Sequence, residues 1–191
     1  MKRRTQRSII AAAAGVALAS CCATAFAAPE TLQLTPGNML AQTRSSAILF
    51  DVTGRYRQLS GTLNFDPVTH SCDIDVTFQT RSLALPNAIV RARVMSKSFL
   101  DPDQYPTTQF KGACADNGTK LVGQLTMHGQ THPFTMDVTN QMQGGTLVGF
   151  YTKGKLDRYH WGLDGQQMTV GKIITVMNDI SLNGQPPKAP R

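Results

Sequence analysis

The chain has 191 residues, about the length of one domain, and its formal net charge is +7, from 19 Lys and Arg against 12 Asp and Glu. Four of the basic residues and none of the acidic ones lie in the first 27 positions, which leaves 15 basic against 12 acidic residues in the rest of the chain. This small excess is scattered along the sequence. Because the basic residues are scattered, the sequence does not predict the clustered basic surface that is expected of a nucleic-acid-binding protein.

The first 27 residues have the three parts of a secretory signal peptide. A cationic start precedes an apolar run at Ile9–Ser20, which is too short to remain as a membrane anchor, and Ala25-Phe26-Ala27 matches a small-x-small cleavage site. We therefore predict cleavage after Ala27 and a periplasmic location. The alternative is that Leu18-Ala19-Ser20-Cys21 is a bacterial lipobox, so that a lipidated Cys21 holds the protein at a membrane.

One β domain is predicted for residues 28–184, followed by a disordered, proline-rich tail at 185–191. Alternating apolar and polar residues indicate strands, of which the first two are Thr31–Leu34 and Ser46–Thr53, and Gly54-Arg55-Tyr56 is predicted to bend the chain after them. Further strands are predicted at Gly61–Asp66, Ser71–Thr80, Thr107–Cys114, Leu121–Met127, Pro133–Thr139, Thr146–Lys153 and Met168–Leu182, and Gly154–Trp161 is predicted to continue Thr146–Lys153 outwards as strand or edge.

One short helix is predicted at Asn87–Lys97, with Ile89, Val90 and Val94 turned towards the core. It leads into the stretch Phe99–Phe110, in which two prolines fix the backbone. We interpret this stretch as a rigid corner that returns the chain from the helix to the sheet.

Two cysteines, Cys72 and Cys114, lie outside the signal region. An even number of cysteines in an oxidising compartment favours a disulfide. Cys72 opens one predicted strand and Cys114 ends the next, so antiparallel pairing of these strands would bring both residues together on the inner face. We therefore predict a Cys72–Cys114 disulfide, with two buried free thiols as the alternative.

Seven to nine short strands are too many for one flat sheet in a chain of this length, and closure of a sheet removes its exposed edges. The pattern predicts a mainly β fold, an antiparallel barrel of about eight strands with one short α-helix, whose interior has room for side chains and one slender ligand. Such an inner face is either a solid core or the wall of a ligand cavity. Its apolar members are Phe50, Phe65, Ile74, Val76, Phe78, Phe110, Leu125, Phe134, Met136, Ile174 and Val176.

Four segments, in order over roughly residues 31–184, resemble the motifs of a known family. They are Gly54-Arg55-Tyr56-x-x-Leu59-Ser60-Gly61-x-Leu63-x-Phe65-Asp66-Pro67, Ser96-x-Ser98-Phe99-Leu100-Asp101-x-x-x-Tyr105-Pro106-x-x-x-Phe110, Gly123-x-Leu125-Thr126-x-x-Gly129-x-Thr131-x-Pro133 and Gly154-x-Leu156-x-Arg158-Tyr159-x-Trp161-Gly162-Leu163. On these residues the chain is similar to the YceI-like family, polyisoprenoid-binding proteins of the bacterial cell envelope.

The resemblance implies a lipocalin-like barrel that encloses an apolar lipid, of the polyisoprenoid or isoprenoid quinone type, as a carrier or buffer, with no other cofactor. The alternative is a structural or interaction module whose barrel is filled by its own side chains. The helix departs from the family's "RD.HL" pattern, because Val90-Arg91-Ala92-Arg93-Val94 stands there. Arg91 and Arg93 are therefore candidates to contact an anionic headgroup, unless they form a solvated helix face.

The sequence has no Gly-x-Ser-x-Gly, Walker or His-Glu-x-x-His motif. His128 and His132 are four residues apart across a predicted turn, whereas a zinc site needs three or four converging ligands. We interpret Asp157, Arg158 and His160 as surface or rim residues. The sequence thus predicts a non-catalytic protein without a metal site.

Overall fold

The structure is a computed structural model that describes residues 29–47, 51–165, 168, 170–184 and 186–187. The predicted signal peptide with Cys21, most of the predicted tail, and Phe50 lie outside the described residues. The part of the chain that is described contains eleven strands, one α-helix and two 3₁₀ helices, at Thr80–Ser82 and Arg158–Trp161. The strands are β1 (Glu30–Leu34), β2 (Met39–Ala47), β3 (Asp51–Tyr56), β4 (Leu59–Phe65), β5 (Cys72–Gln79), β6 (Leu83–Ala84), β7 (Thr107–Ala115), β8 (Lys120–Met127), β9 (Gln130–Gln143), β10 (Thr146–Asp157) and β11 (Val170–Ser181), and the helix is α1 (Ala88–Val94).

All eleven strands belong to one antiparallel sheet, in the order β1-β4-β5-β7-β8-β9-β10-β11-β2-β3-β6. The sheet curls into a half-barrel. At one corner the turn between β3 and β4 meets the segment after β5, where Arg57 N donates to Ser82 O (3.2 Å) and Gln79 N donates to Gln58 O (3.1 Å). The mainly β, antiparallel, lipocalin-like fold with one short helix is confirmed, although the strands are more numerous than the eight expected.

Two-residue alternation places the apolar side chains on the inner, concave face of the sheet. In β5, for example, Ile74, Val76 and Phe78 are buried, whereas Asp73 and Gln79 on the other face are exposed. Antiparallel pairing with β4 and β7 sets Val76 beside Phe110 and Phe78 beside Leu59. The core is therefore a single cluster inside the curl rather than a layer between two sheets.

The predicted strand at Ser46–Thr53 is wrong, because its two ends belong to different strands that pair with each other in antiparallel fashion. β2 ends at Ala47 and β3 starts at Asp51, and the register pairs Ser46 with Asp51. Gly54-Arg55-Tyr56, which was predicted to bend the chain, continues β3 instead. Strand β2 was missed because most of its residues are small or polar, which leaves little alternation to detect.

Helix α1 is shorter than predicted, and its apolar face differs from the prediction. Asn87 caps it, since Asn87 Oδ1 accepts from Val90 N at 2.9 Å. Val94 is half-buried against the core, but Ile89 is 76% exposed, contrary to its predicted inward orientation. A helix of two turns contacts the sheet only near its end, so its first turn projects into solvent.

The corner at 99–110 closes the interior beside α1. Phe99 and Leu100 are both buried in the core cluster. Gly165 N donates to Ser98 O (3.0 Å), which ties this corner to the segment after the second 3₁₀ helix. Two chain segments thus cover the same end of the half-barrel.

The predicted disulfide is present: Cys72 and Cys114 are bonded, with their Cα atoms 4.9 Å apart. The pairing of β5 with β7 sets Asp73 opposite Ala113, so the two cysteines lie at the adjacent position of the same ladder. The bond therefore joins two strands that are already neighbours.

Replacing both cysteines, in Cys72→Ser/Cys114→Ser, should lower the free energy of unfolding by about 2–5 kcal/mol, because the bond closes a loop in the unfolded chain. Urea unfolding measured under oxidising conditions tests this. A reductant should bring the wild type to the same midpoint and leave the variant unchanged. Equal midpoints for the variant and the oxidised wild type would contradict the prediction.

Asp179 on β11 is a buried carboxylate, which accepts from Gln141 Nε2 at 3.2 Å. Burial raises the pKa of Asp179, and the Gln141 hydrogen bond lowers it in part. A raised pKa means that the folded protein holds the proton more tightly than the unfolded chain. The contribution of Asp179 to stability is then present at low pH and is lost as the pH rises through its folded-state pKa.

Asp179→Asn should therefore be more stable than the wild type at pH 7, because the amide keeps an acceptor for Gln141 without a buried charge. The advantage should disappear below the ordinary Asp pKa of 3.8, where both proteins are neutral at this position. Thermal melts from pH 3 to pH 8 measure this difference. A variant that is less stable at pH 7 would refute the assignment.

Candidate ligand cavity

The concave face of the sheet encloses a cavity of about 110 Å³ next to the corner at 99–110. Its wall is mostly apolar and comes from eight strands, from α1 and from both covering segments. The apolar residues that line it are Ala41, Val52, Tyr56, Phe78, Leu83, Leu85, Val94, Phe99, Leu100, Leu125, Met127, Leu156, Leu163, Val170, Ile174 and Val176. A wall of this composition suits an apolar chain.

A second cavity, of about 40 Å³, adjoins the first inside the half-barrel. Four side chains, those of Phe78, Leu125, Val176 and Asn178, line both cavities. The two cavities are therefore neighbours, and these four side chains form the partition between them.

The sequence-predicted lining residues divide among the cavities. Phe78, Leu125, Ile174 and Val176 line the larger cavity. Ile74, Val76, Phe110, Phe134 and Met136 line the smaller one, whereas Phe65 lies by the disulfide in a separate pocket of about 30 Å³. Phe50 lies outside the described residues.

One wall of the larger cavity was missed by sequence reasoning. Strand β2 contributes Ala41, Gln42, Thr43 and Ser45 to it. These small and polar residues carry no hydrophobic pattern, and only their position between β11 and β3 in the sheet places them here. Bulky apolar side chains therefore form most of the cavity wall, whereas the side formed by β2 is smaller and more polar.

Neither Arg91 nor Arg93 is among the described residues that line the cavity. The Arg91 guanidinium instead donates to two backbone carbonyls, Nη1 to Leu83 O (2.7 Å) and Nη2 to Arg81 O (2.8 Å). Arg93 is exposed on α1. Arg91 therefore fixes the helix to the segment that carries β6.

Arg158, which the sequence reading placed at the surface or rim, is fully buried and lines the larger cavity. Its Nε donates to Gly171 O (3.1 Å), Nη1 donates to Leu163 O, and Nη2 donates to Val170 O (3.2 Å). The guanidinium also lies over two aromatic rings, 5.1 Å from the centroid of Phe99 and 4.6 Å from that of Tyr159.

A signal for this residue did exist in the sequence. Thr152, Gly154, Leu156 and Arg158 follow the alternation of β10, and all four are buried. The position of Arg158 at the end of this series indicates an inward side chain. The general tendency of arginine to be exposed hid it. Its neighbours Asp157 and His160 behave as predicted: Asp157 pairs with Lys172 at 3.6 Å, and His160 is exposed.

Uncharged polar groups also face the interior. Asn178 Nδ2 donates to Thr152 Oγ1 (3.0 Å), and both groups lie 3.6 Å from Met136 Sδ. Burial raises the pKa of Tyr56, while a hydrogen bond with Thr108 opposes this shift. The phenol therefore stays neutral near pH 7 and acts as a hydrogen-bonding group.

Two further observations bear on chemistry. Within the described ranges, no group of three or more His, Cys, Asp or Glu is arranged to hold a metal ion. No helix in the part of the chain that is described is long and apolar enough to cross a membrane. What the site offers is an apolar enclosure with a few polar groups in its wall.

Comparisons with known proteins agree with this geometry. A UPF0312 protein from Pseudomonas savastanoi is 30% identical over 143 residues, which are 70% of this chain and 73% of that protein. A UPF0312 protein from Vibrio cholerae is 28% identical over 122 residues, 59% of this chain, and the match spans 65% of the length of the Vibrio protein.

Solved structures share the fold. BcnA from Burkholderia cenocepacia has a TM-score of 0.66 at 18% identity, over 76% of this chain and 96% of that one. A polyisoprenoid-binding domain from Saccharophagus degradans, implicated in plant cell wall breakdown, has a TM-score of 0.56 at 9% identity, over 79% of this chain and 98% of that one. The model of the YceI-like domain matches residues 35–183, which include every strand from β2 to β11, and the chain therefore belongs to the YceI-like family.

Proposed function

We propose that this protein binds a long apolar lipid, of the polyisoprenoid or isoprenoid quinone type, inside the half-barrel and acts as a non-catalytic carrier or buffer. The single observation that supports this most is the apolar cavity on the concave face, with a second cavity behind the same partition. Membership of the YceI-like family and the fold shared with a polyisoprenoid-binding domain point the same way.

The binding energy of such a ligand comes from apolar burial. Each Å² of apolar surface removed from water is worth roughly 25 cal/mol, and each buried CH₂ about 0.8 kcal/mol. This gain needs no directional bond. The enclosure would therefore accept chains of related chemistry, and its polar wall groups would set the preference for one end of the ligand.

The size of the cavity requires its wall to move when a lipid binds. Pockets for drug-sized ligands measure about 300–1,000 Å³, whereas the larger cavity measures about 110 Å³. A ligand would displace the four side chains of the partition and so gain the space of the smaller cavity. The same small volume favours the second candidate function, a structural or interaction module filled by its own side chains.

The proposed site of action is the periplasm. The signal-peptide pattern at residues 1–27 supports export, and the bonded pair Cys72–Cys114 is typical of an oxidising compartment. A free polyisoprenoid does not dissolve in water, so its transfer between membranes through the aqueous periplasm needs a carrier. Lipidation of Cys21 would be the route to a membrane-bound form.

Protein purified from a native host should release a polyprenyl or quinone-type lipid when it is extracted with organic solvent, because apolar burial makes release into water slow. Mass spectrometry of the extract identifies the ligand, and intact mass distinguishes a start at Ala28 from a lipidated Cys21. Repeated extracts without lipid, from protein that is folded, would favour the structural module.

Ile174→Trp should lower lipid affinity at least about tenfold, because excluding even about two CH₂ groups at about 0.8 kcal/mol each has this effect. Ile174 lines the cavity. The matched control is Ile173→Trp, since Ile173 is the next residue on β11 and is 39% exposed on the outer face. Affinity is measured by titration with a fluorescent polyene fatty alcohol. Equal affinities in the two variants would place the lipid elsewhere.

A further inference from the structure

The charge of Arg158 is buried without a carboxylate partner. Its relative exposure is 0%, and none of the ion pairs between described residues includes it. Backbone carbonyls and aromatic rings stabilise the guanidinium, but they are neutral. A buried cation without an anion is costly, so proteins usually pair it with one.

The Arg158 guanidinium also lies at one end of the cavity, where the headgroup of a bound lipid would be placed. Arg158 lines the larger cavity together with Phe99, Leu163 and Val170, at the end covered by the two segments. A guanidinium has five N–H donors. The acceptors found among the described residues are the carbonyls of Gly171, Leu163 and Val170 and, at 3.5 Å, the Tyr159 hydroxyl. One Nη1–H is left for a further acceptor.

We propose that Arg158 anchors an anionic oxygen headgroup, so that the natural ligand is an acidic lipid: an apolar chain that ends in a carboxylate or a phosphate. This inference rests on the proposed function and specifies its ligand class. The anion would supply the missing countercharge, and water-excluding walls would strengthen the charge-assisted hydrogen bond. The anchor would then be this buried arginine rather than the helix arginines Arg91 and Arg93.

Ligands with one tail and different ends test the proposal: geranylgeraniol, methyl geranylgeranoate, geranylgeranoic acid and geranylgeranyl phosphate. Trp161 is the single tryptophan of the chain, and its Nε1 donates to the carbonyl of the cavity residue Leu125 at 3.0 Å. Its fluorescence therefore reports binding to the wild type. At least one acid should bind about tenfold or more tighter than the alcohol and the ester, the scale of one charge-assisted hydrogen bond.

The outcomes separate the proposals. Equal affinity for all four ligands overturns the anionic anchor and leaves the apolar-lipid function standing. No binding by any ligand overturns both. A preference for the carboxylate or for the phosphate supports the anchor and identifies which of the two headgroups the site takes.

Variants locate the anchor. In Arg158→Gln the affinities for the acids should fall to the affinity for the alcohol, so that the preference for acids is lost. Arg91→Gln/Arg93→Gln is the matched control and should keep that preference; its loss there would place the anchor on α1 and overturn the proposal. If Arg158→Gln does not fold, two measurements still test whether Arg158 is the anchor. They are the ligand affinities of this double variant and ¹⁵N NMR of the Arg158 Nε–H in the wild type. That signal should shift with the acids and stay unchanged with the alcohol.

Discussion

The two-residue alternation of a strongly curled antiparallel sheet is the constraint on which this molecule depends. Each strand sends every second side chain to the concave face, and curling makes these side chains converge. Because the sheet has a single inner face, the core has no second layer to fill it. Its packing is therefore completed by the short helix, by the corner at 99–110 and by the segment around Leu163. A cavity forms where these coverings meet the sheet.

Much of the sheet could be predicted from the sequence, because clear alternation and tight turns reflect the same sterics that build it. Strand β5 and the hairpins from β7 onwards are of this kind, and their pairing also brought Cys72 to Cys114. Strand β2 could not be predicted in this way. Its residues are small or polar, and its inward face is defined by the neighbouring strands rather than by its own composition.

The candidate site was predictable in part for the same reason. Apolar parity selected residues that do face the interior, such as Phe78 and Ile174. The same alternation predicts that Arg158 faces the interior, whereas the general tendency of arginine to be exposed predicts the surface. Tertiary contacts bury the Arg158 side chain, since three backbone carbonyls and two aromatic rings surround its guanidinium. The exposed Ile89 shows the converse case, in which an apolar residue of a short helix has nothing to cover it.

The ladder between β11 and β2 has an irregularity with a mechanical consequence. From Val170 to Ile174 the chain advances four residues on β11, while β2 advances only two, from Ala47 to Ser45. The carbonyls of Val170 and Gly171 accept from Arg158 within this interval. Hydrogen bonds from Arg158 here take the place of hydrogen bonds between β11 and β2. The shape of this part of the cavity wall therefore depends on the guanidinium that lines the cavity. The register of β11 against β2 and the wall of the cavity are thus linked through one side chain.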